Sequence, residues 1–163
     1  KNVPCLIPCG IDQDPHFRVA RDIAPLLGYY KPALLHNKMF PGLQGTDKMS
    51  SSQPNSTIYT TDTPKQVRKK VMSAFTGGAV TVEDQRKNGG KPEICSVFKY
   101  LHFLFEEDDK KLEELMIKCR NGEILCGECK KSLADSMVNF IEIHQEKREK
   151  ARDKVQDYLF CED

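Results

Sequence analysis

Two short polar stretches hold the side chains most suited to chemistry. The segment Gly10-Ile11-Asp12-Gln13-Asp14 sets two carboxylates beside an amide, and Asp47-Lys48-Met49-Ser50-Ser51-Ser52 sets one ammonium beside three hydroxyls. An aspartate at a strand end can accept from a ribose hydroxyl pair. A glutamine both donates and accepts, which suits the polar groups of an amino acid. From spacing alone Asp12 serves equally well in an Asx turn, and Asp14 reads as a helix N-cap. The second stretch offers partners for a polyphosphate: Lys48 could neutralise charge building on a leaving pyrophosphate. The plainer alternative is a solvated, serine-rich linker. A P-loop of the form G-x-x-x-x-G-K-[ST] is missing, which disfavours an ordinary P-loop NTPase.

The elements that must position these residues follow from hydrophobic pattern and punctuation. Val3 to Cys9 is a short apolar run bounded by prolines and reads as a buried strand. Asp14 to Gly28 reads as a helix with Asp14 as N-cap, Pro15 at the first helical position and Gly28 as terminator. Phe17, Ala20, Ala24 and Leu27 share one of its faces, and Pro25 weakens its last turn. Lys31 to His36 is a second short apolar run, so the order strand, helix, strand predicts a parallel pair with a crossover helix. Ligands of open parallel sheets bind beyond the carboxyl ends of the strands, so the two polar stretches are expected to face one cleft. The segment Pro41 to Thr57 reads as a polar loop that cannot bury itself and is held as a mobile arm.

Beyond Asp62 the pattern turns helical. Helices are expected over Pro64 to Phe75, with Val67, Val71, Ala74 and Phe75 on one face, and over Val82 to Asn88 behind a Thr81 cap with Gly89-Gly90 closing. Further helices are expected over Cys95 to Phe105 and Asp109 to Arg120, and from near Gly127 past Tyr158. The last carries Leu133, Met137, Ile141, His144, Ala151, Val155 and Leu159 near helical spacing. The composition shift near Asp62 is taken as a domain boundary, separating 1–61 from 62–163.

The totals are those of a soluble globular chain: 163 residues, 39% hydrophobic, 30% charged and a net charge of +1. Near-neutral charge argues against wholesale nucleic-acid coating and leaves local basic patches as the route to a polyanion. No apolar run approaches the roughly 18 residues of a membrane span, and the start lacks the long apolar core of a secretory signal. Seven cysteines at irregular spacing in a chain of this size point to free thiols in a reducing compartment, hence the cytoplasm.

The ordered motifs "GIDQ", "LGY", "PGL" and "KMSSS" resemble the class I aminoacyl-tRNA synthetases of the tryptophan and tyrosine branch. The particular run "LIPCGIDQDPHFRVARDIAPLLGYYKPALLH" is similar to the tryptophanyl enzymes of eukaryotic and archaeal type. The similarity continues through "TDTPKQVRKKV", "FTGG", "EDDKKLEEL" and "GEILCGECKKSL". It implies an α/β fold: the carboxyl-terminal part of a Rossmann-type catalytic domain, including the KMSSS loop, over 1–61, followed by an all-helical anticodon-binding domain over 62–163. It also implies a reaction in two steps. Tryptophan is adenylated by ATP with Mg²⁺ and then passed to the terminal ribose of tRNA(Trp).

Carried over by position, the resemblance makes Ile7, Cys9, Gln13 and Phe17 tryptophan-binding and gives Asp12 the ribose. Lys48, Met49, Ser50, Ser51 and Ser52 become the loop that closes over ATP, with Met49 beside the adenine and Lys48 on the pyrophosphate. In much of the class a second lysine stands where Ser51 stands here. Similar enzymes carry Arg-Asp after the glycine pair; this chain has Ala79-Val80, so anticodon reading is not assigned there. The His-x-Gly-His signature of the class is not among the four histidines. The chain is therefore expected to correspond to the carboxyl-terminal part of a synthetase and to form no adenylate alone. The family is homodimeric. The alternatives left open are a tyrosyl enzyme and a non-catalytic tRNA-binding module.

Other constellations read more plainly. Cys126-x-x-Cys129 with Cys119 could supply three metal ligands, but a fourth at His144 lies too far along the same helix, so no protein-bound structural metal is expected. His144 reads as a core or boundary histidine. Glu106 to Asp109 reads as a solvated turn whose end caps the next helix. Lys65, Arg68 and Lys69 share an exposed face suited to tRNA phosphates or to plain solvation.

Overall fold

The computed structural model describes residues 2–46, 48–50 and 52–159. The chain forms two compact units, one ending at Phe40 and the other beginning at Pro41.

The first unit is the expected strand, helix, strand. Strand β1 (Leu6–Gly10) pairs in parallel with β2 (Ala33–Asn37), Leu6 opposite Ala33 and Gly10 opposite Asn37. Helix α1 (Asp14–Ile23) is the crossover. Pro25 has no amide hydrogen to continue an α-helix, and the chain tightens to a 3-10 turn over Ala24–Leu27. Gly28 then ends it at φ 76°, a left-handed position that costs a glycine nothing.

Two expectations about this unit need correction. Asp14 is not the N-cap: it stands inside the first turn of α1, behind Gln13. Its carboxylate accepts from Arg18 at 2.6 Å and lies 3.3 Å from His36 Nε2 at the end of β2. It braces helix to strand instead of closing a backbone amide. The strand is also not buried. No described residue of the unit is buried, and Leu6, Val19, Leu26, Leu27 and Leu35 stand more than half exposed, although parallel sheets are as a rule covered on both faces.

The second unit is helical: α2 (Pro64–Met72), α3 (Val82–Asn88), α4 (Ser96–Tyr100), α5 (Asp109–Arg120) and α6 (Cys126–Arg152). Thr63 and Gln66 close a reciprocal capping box on α2, and Thr81 and Asp108 cap α3 and α5. Helix α2 lies along α6, burying Val67 and Val71 against a core with Leu133, Met137 and Ile141. Each such side chain contributes about 1.5–3 kcal/mol.

Two expected helices end early and a third changes its winding before its expected end. Helix α2 stops at Met72, and Phe75 is 41% exposed whereas Ala74 is buried. The third, α4, passes into a π-helical turn over Leu101–Phe105. The last, α6, ends at Arg152, followed by a 3-10 turn over Val155–Tyr158. Ala151, Val155 and Leu159 continue the apolar spacing but are exposed. His144 is half-buried and stacks on Phe140, with ring centroids 6.5 Å apart.

Candidate functional site

At the end of β1 the chain turns at once through a 3-10 turn (Ile11–Gln13) into α1. This brings Asp12 and Gln13 to the strand's carboxyl end, both exposed, with Gln13 Nε2 3.5 Å from Asp12 Oδ1. Gly10 is what lets the turn close: a Cβ there would meet Asp12 Oδ1 at 2.9 Å and Met39 Sδ at 3.3 Å. Ile7, Cys9 and Phe17 are half-buried. Alternation places Ile7 and Cys9 on one face of the strand.

The lysine loop belongs to the helical unit, and its two feet are tied down. Leu43 is fully buried, its amide bonded to Ser56 O at 2.9 Å and its carbonyl to Phe75 N at 2.7 Å. Ser96 Oγ donates to Gly42 O at 3.1 Å. Ser56 is fully buried too, and its hydroxyl donates to Gln53 O at 2.7 Å while accepting from Ser50 N at 3.3 Å. The expectation that this polar segment cannot bury itself is thus wrong for its base. Its polar groups enter the interior because each finds a partner.

What stands out from that base is the tip. Lys48 and Ser52 are exposed, and Met49 and Ser50 are half-buried. Ser50 and Ser52 hydroxyls share a hydrogen bond of 2.8 Å, and Thr46 Oγ1 donates to the Lys48 carbonyl at 2.9 Å. Ser51 lies outside the described residues. A single ammonium at the tip of a braced turn, with hydroxyls beside it, can meet phosphate oxygens without the chain having to fold first.

A group that sequence reasoning missed locks the loop's exit. Lys70 Nζ lies 2.6 Å from Asp62 Oδ2, donates to Thr57 O at 2.9 Å and rests 4.7 Å over the Tyr59 ring. Both side chains are buried, 11% and 8% exposed. Gln145 of α6 donates to the carbonyls of Thr60 and Asp62. The signal was an aspartate just ahead of a helix with a lysine two turns on, too common a pattern to stand out.

Lys65, Arg68 and Lys69 are all exposed on α2. Arg68 is nevertheless paired with Asp135 of α6, so Lys65 and Lys69 are the cations of that face with no acidic partner in the α2–α6 pairing. Among the described residues, no group of three or more His, Cys, Asp or Glu side chains is disposed to hold a metal ion, and no helix is long and apolar enough to cross a membrane. The six described cysteines are free thiols.

Comparison with known proteins decides the family. The profile described as tRNA synthetases class I (W and Y) matches residues 2–142. The chain belongs to that family. Among the synthetases it resembles, the tryptophan–tRNA ligase of Pyrobaculum aerophilum is 56% identical over 155 residues, 95% of this chain and 41% of the relative. That of Thermococcus sibiricus is 51% identical, over 97% of this chain and 42% of the relative.

The chain thus spans about two fifths of the length of the relatives it matches. The solved tryptophanyl-tRNA synthetase of Aeropyrum pernix K1 superposes with a TM-score of 0.86 at 42% identity, covering 92% of this chain and 42% of that one. A tyrosyl-tRNA synthetase of the same organism reaches 0.65 at 22% identity, a likeness of fold. The structure accordingly has the class I synthetase catalytic fold in a mostly helical chain with a small parallel sheet.

Proposed function

We propose that the protein carrying this chain joins tryptophan to tRNA(Trp) through a tryptophanyl adenylate. The observation that carries this reading is the similarity to tryptophan ligases over 95% of the chain, taking in both the Asp12-Gln13 turn and the Lys48 loop.

In the first step a tryptophan carboxylate oxygen attacks the α-phosphorus of ATP. The bond from that phosphorus to the bridging oxygen breaks, and pyrophosphate leaves. Gln13 meets the polar head of tryptophan, and Ile7, Cys9 and Phe17 line the side of its pocket. Asp12 accepts from the ribose hydroxyls. Met49 lies beside the adenine, and Lys48, with Ser50, Ser51 and Ser52, stabilises the charge that accumulates on the departing pyrophosphate. Mg²⁺ enters with ATP as part of the substrate and screens the same phosphates. In the second step the terminal ribose hydroxyl of tRNA attacks the adenylate's carbonyl carbon, and AMP leaves.

The two functional parts are 1–61, the nucleotide-binding segment with its loop, and 62–163, the helical part that meets the anticodon arm. Lys65 and Lys69, with Arg68, contact tRNA phosphates. Homodimeric assembly and a cytoplasmic setting complete the reading. They rest on the family resemblance and on the free thiols. Charging of tRNA with tryptophan, compared with tyrosine, tests it: esterification of tyrosine in preference to tryptophan overturns the assignment.

A further inference from the structure

Helix α2 carries four cations, three of them exposed and one, Lys70, turned inward. Val67 and Val71 are fully buried against α6, and Lys70, one turn from Val67, lies on the same side of the helix. The two valines fix where the lysine side chain starts. Its ammonium is then held on three sides by one short stretch of chain: it is 2.6 Å from Asp62 Oδ2, donates to Thr57 O at 2.9 Å and rests 4.7 Å from the centre of the Tyr59 ring. Asp62 Oδ2 also accepts from Tyr59 N at 2.9 Å, and the Asp62 amide donates to Tyr59 O at 3.0 Å. The segment from Thr57 to Asp62 is closed on itself and tied to α2 by a single side chain.

Stability alone does not call for a charge at this position. A buried ion pair is on balance no better than apolar side chains of the same volume, and the neighbouring valines show that the contact with α6 accepts such side chains. What an apolar side chain cannot do is hold a carbonyl. Ser56 O and Thr57 O are consecutive carbonyls of the loop's return arm. Lys70 holds the second, and the Leu43 amide at the loop's entry holds the first at 2.9 Å. Entry and exit are clamped side by side, so the return arm is fixed in direction as well as in place.

The contacts farther out are looser. Ser50 N reaches Ser56 Oγ at 3.3 Å and Thr57 Oγ1 reaches Ser50 O at 3.4 Å, each longer than any bond of the clamp and correspondingly weaker. The tip that carries Lys48 can therefore shift while the arm beneath it stays put. The arm's direction decides where the Lys48 ammonium arrives.

We propose that Lys70 is a positioning residue for adenylate formation: through Thr57 and Asp62 it aims the loop so that Lys48 reaches the phosphates of ATP. The proposal rests on the ligase reading. Lys70 itself does not meet the nucleotide, since its ammonium is already engaged and its side chain is only 11% exposed. A misplacement of about 1 Å can cost about 10²-fold in rate, so even a small turn of the arm has a measurable effect.

The test is tryptophan-dependent exchange of pyrophosphate into ATP by the protein carrying this chain, with rates expressed per folded molecule. Lys70→Met should lower kcat about tenfold or more and leave the KM for tryptophan within about twofold. The double variant Lys70→Met/Asp62→Asn separates positioning from stability. It strands no buried charge and should fold better than Lys70→Met, yet nothing holds Thr57 O, so the defect in kcat should persist; it also decides the matter if Lys70→Met does not fold. In a Lys48→Ala background, Lys70→Met should lower kcat by less than about threefold, because the group it aims is gone. Recovery of kcat together with stability in the double variant, an unchanged kcat in folded Lys70→Met, or an undiminished loss in the Lys48→Ala background each overturns the proposal. Wild-type protein that exchanges with no amino acid overturns the ligase reading and this proposal with it. Wild-type protein that takes tyrosine overturns only the choice of amino acid, and the same comparisons are then made with tyrosine.

Discussion

Replacing Lys70 by methionine keeps the length and most of the volume of the side chain and removes only its charge. In the native fold that ammonium is 2.6 Å from Asp62, 2.9 Å from Thr57 O and 4.7 Å from the Tyr59 ring centre, with both charged side chains about nine-tenths buried. The variant leaves the Asp62 carboxylate buried with the Tyr59 amide as its donor. Removing one partner of a buried pair costs about 3–5 kcal/mol, against about 0.2–1 kcal/mol for an exposed pair. Arg68 and Asp135, 49% and 53% exposed, provide the internal control, and Arg68→Met should cost under about 1 kcal/mol.

Asp62→Asn should cost about 2 kcal/mol, since the amide oxygen still accepts from Tyr59 and Lys70 but without charge. The double variant Lys70→Met/Asp62→Asn should be more stable than Lys70→Met alone, because no buried charge is then stranded. Urea unfolding of the full chain, with the slope compared across the wild type and all four variants, measures each value. A cost below about 1 kcal/mol for Lys70→Met, or a double variant less stable than Lys70→Met, would refute the reasoning that this pair locks the loop's exit to α2.

Gln13→Leu should raise the KM for tryptophan roughly tenfold, the loss of about 1.4 kcal/mol of hydrogen bonding to the amino acid's polar head, and leave the KM for ATP nearly unchanged in steady-state exchange kinetics. Lys65→Glu with Lys69→Glu should weaken tRNA binding and lower the slope of log affinity against log salt by about 1 to 2; an unchanged slope in filter binding removes these residues from the interface. Cys129 should resist iodoacetamide at pH 8 whereas the exposed Cys5 reacts, because burial pushes the Cys129 thiol up to about 12, above the ordinary 9.0. This neutral thiol contributes stability below pH 9 that is lost as pH climbs toward 12, so unfolding midpoints should fall over that window.

Local chemistry made much of this fold legible. The parallel pair, the Gly28 stop, and the Thr81 and Asp108 caps follow from proline, glycine and capping residues whose effects act within a few positions. The misses arise where distant contacts decide. Asp14 has the sequence signature of a cap, yet His36 and Arg18 draw its carboxylate sideways. The loop from Pro41 reads as solvated because serine and glycine are polar or small. Only the fold shows that Leu43, Ser56 and Ser96 close around its base. Periodicity carried α6 past Tyr158 because apolar spacing continues where nothing packs. Within the candidate site the tip residues were legible from type alone, but the Lys70–Asp62 lock and the partner of Arg68 were not.

The central claim is that Lys48 acts on the phosphates of ATP as tryptophan is activated. Tryptophan-dependent exchange of pyrophosphate into ATP, measured with the protein carrying this chain and with its Lys48→Ala variant, tests it most directly. The account expects exchange with tryptophan and not with tyrosine, a fall of about 10²-fold in kcat on substitution, and a tryptophan affinity that stays nearly constant, because the lysine works mainly in the transition state. Unchanged kcat in the variant, or equal loss of rate and of tryptophan affinity, would contradict it.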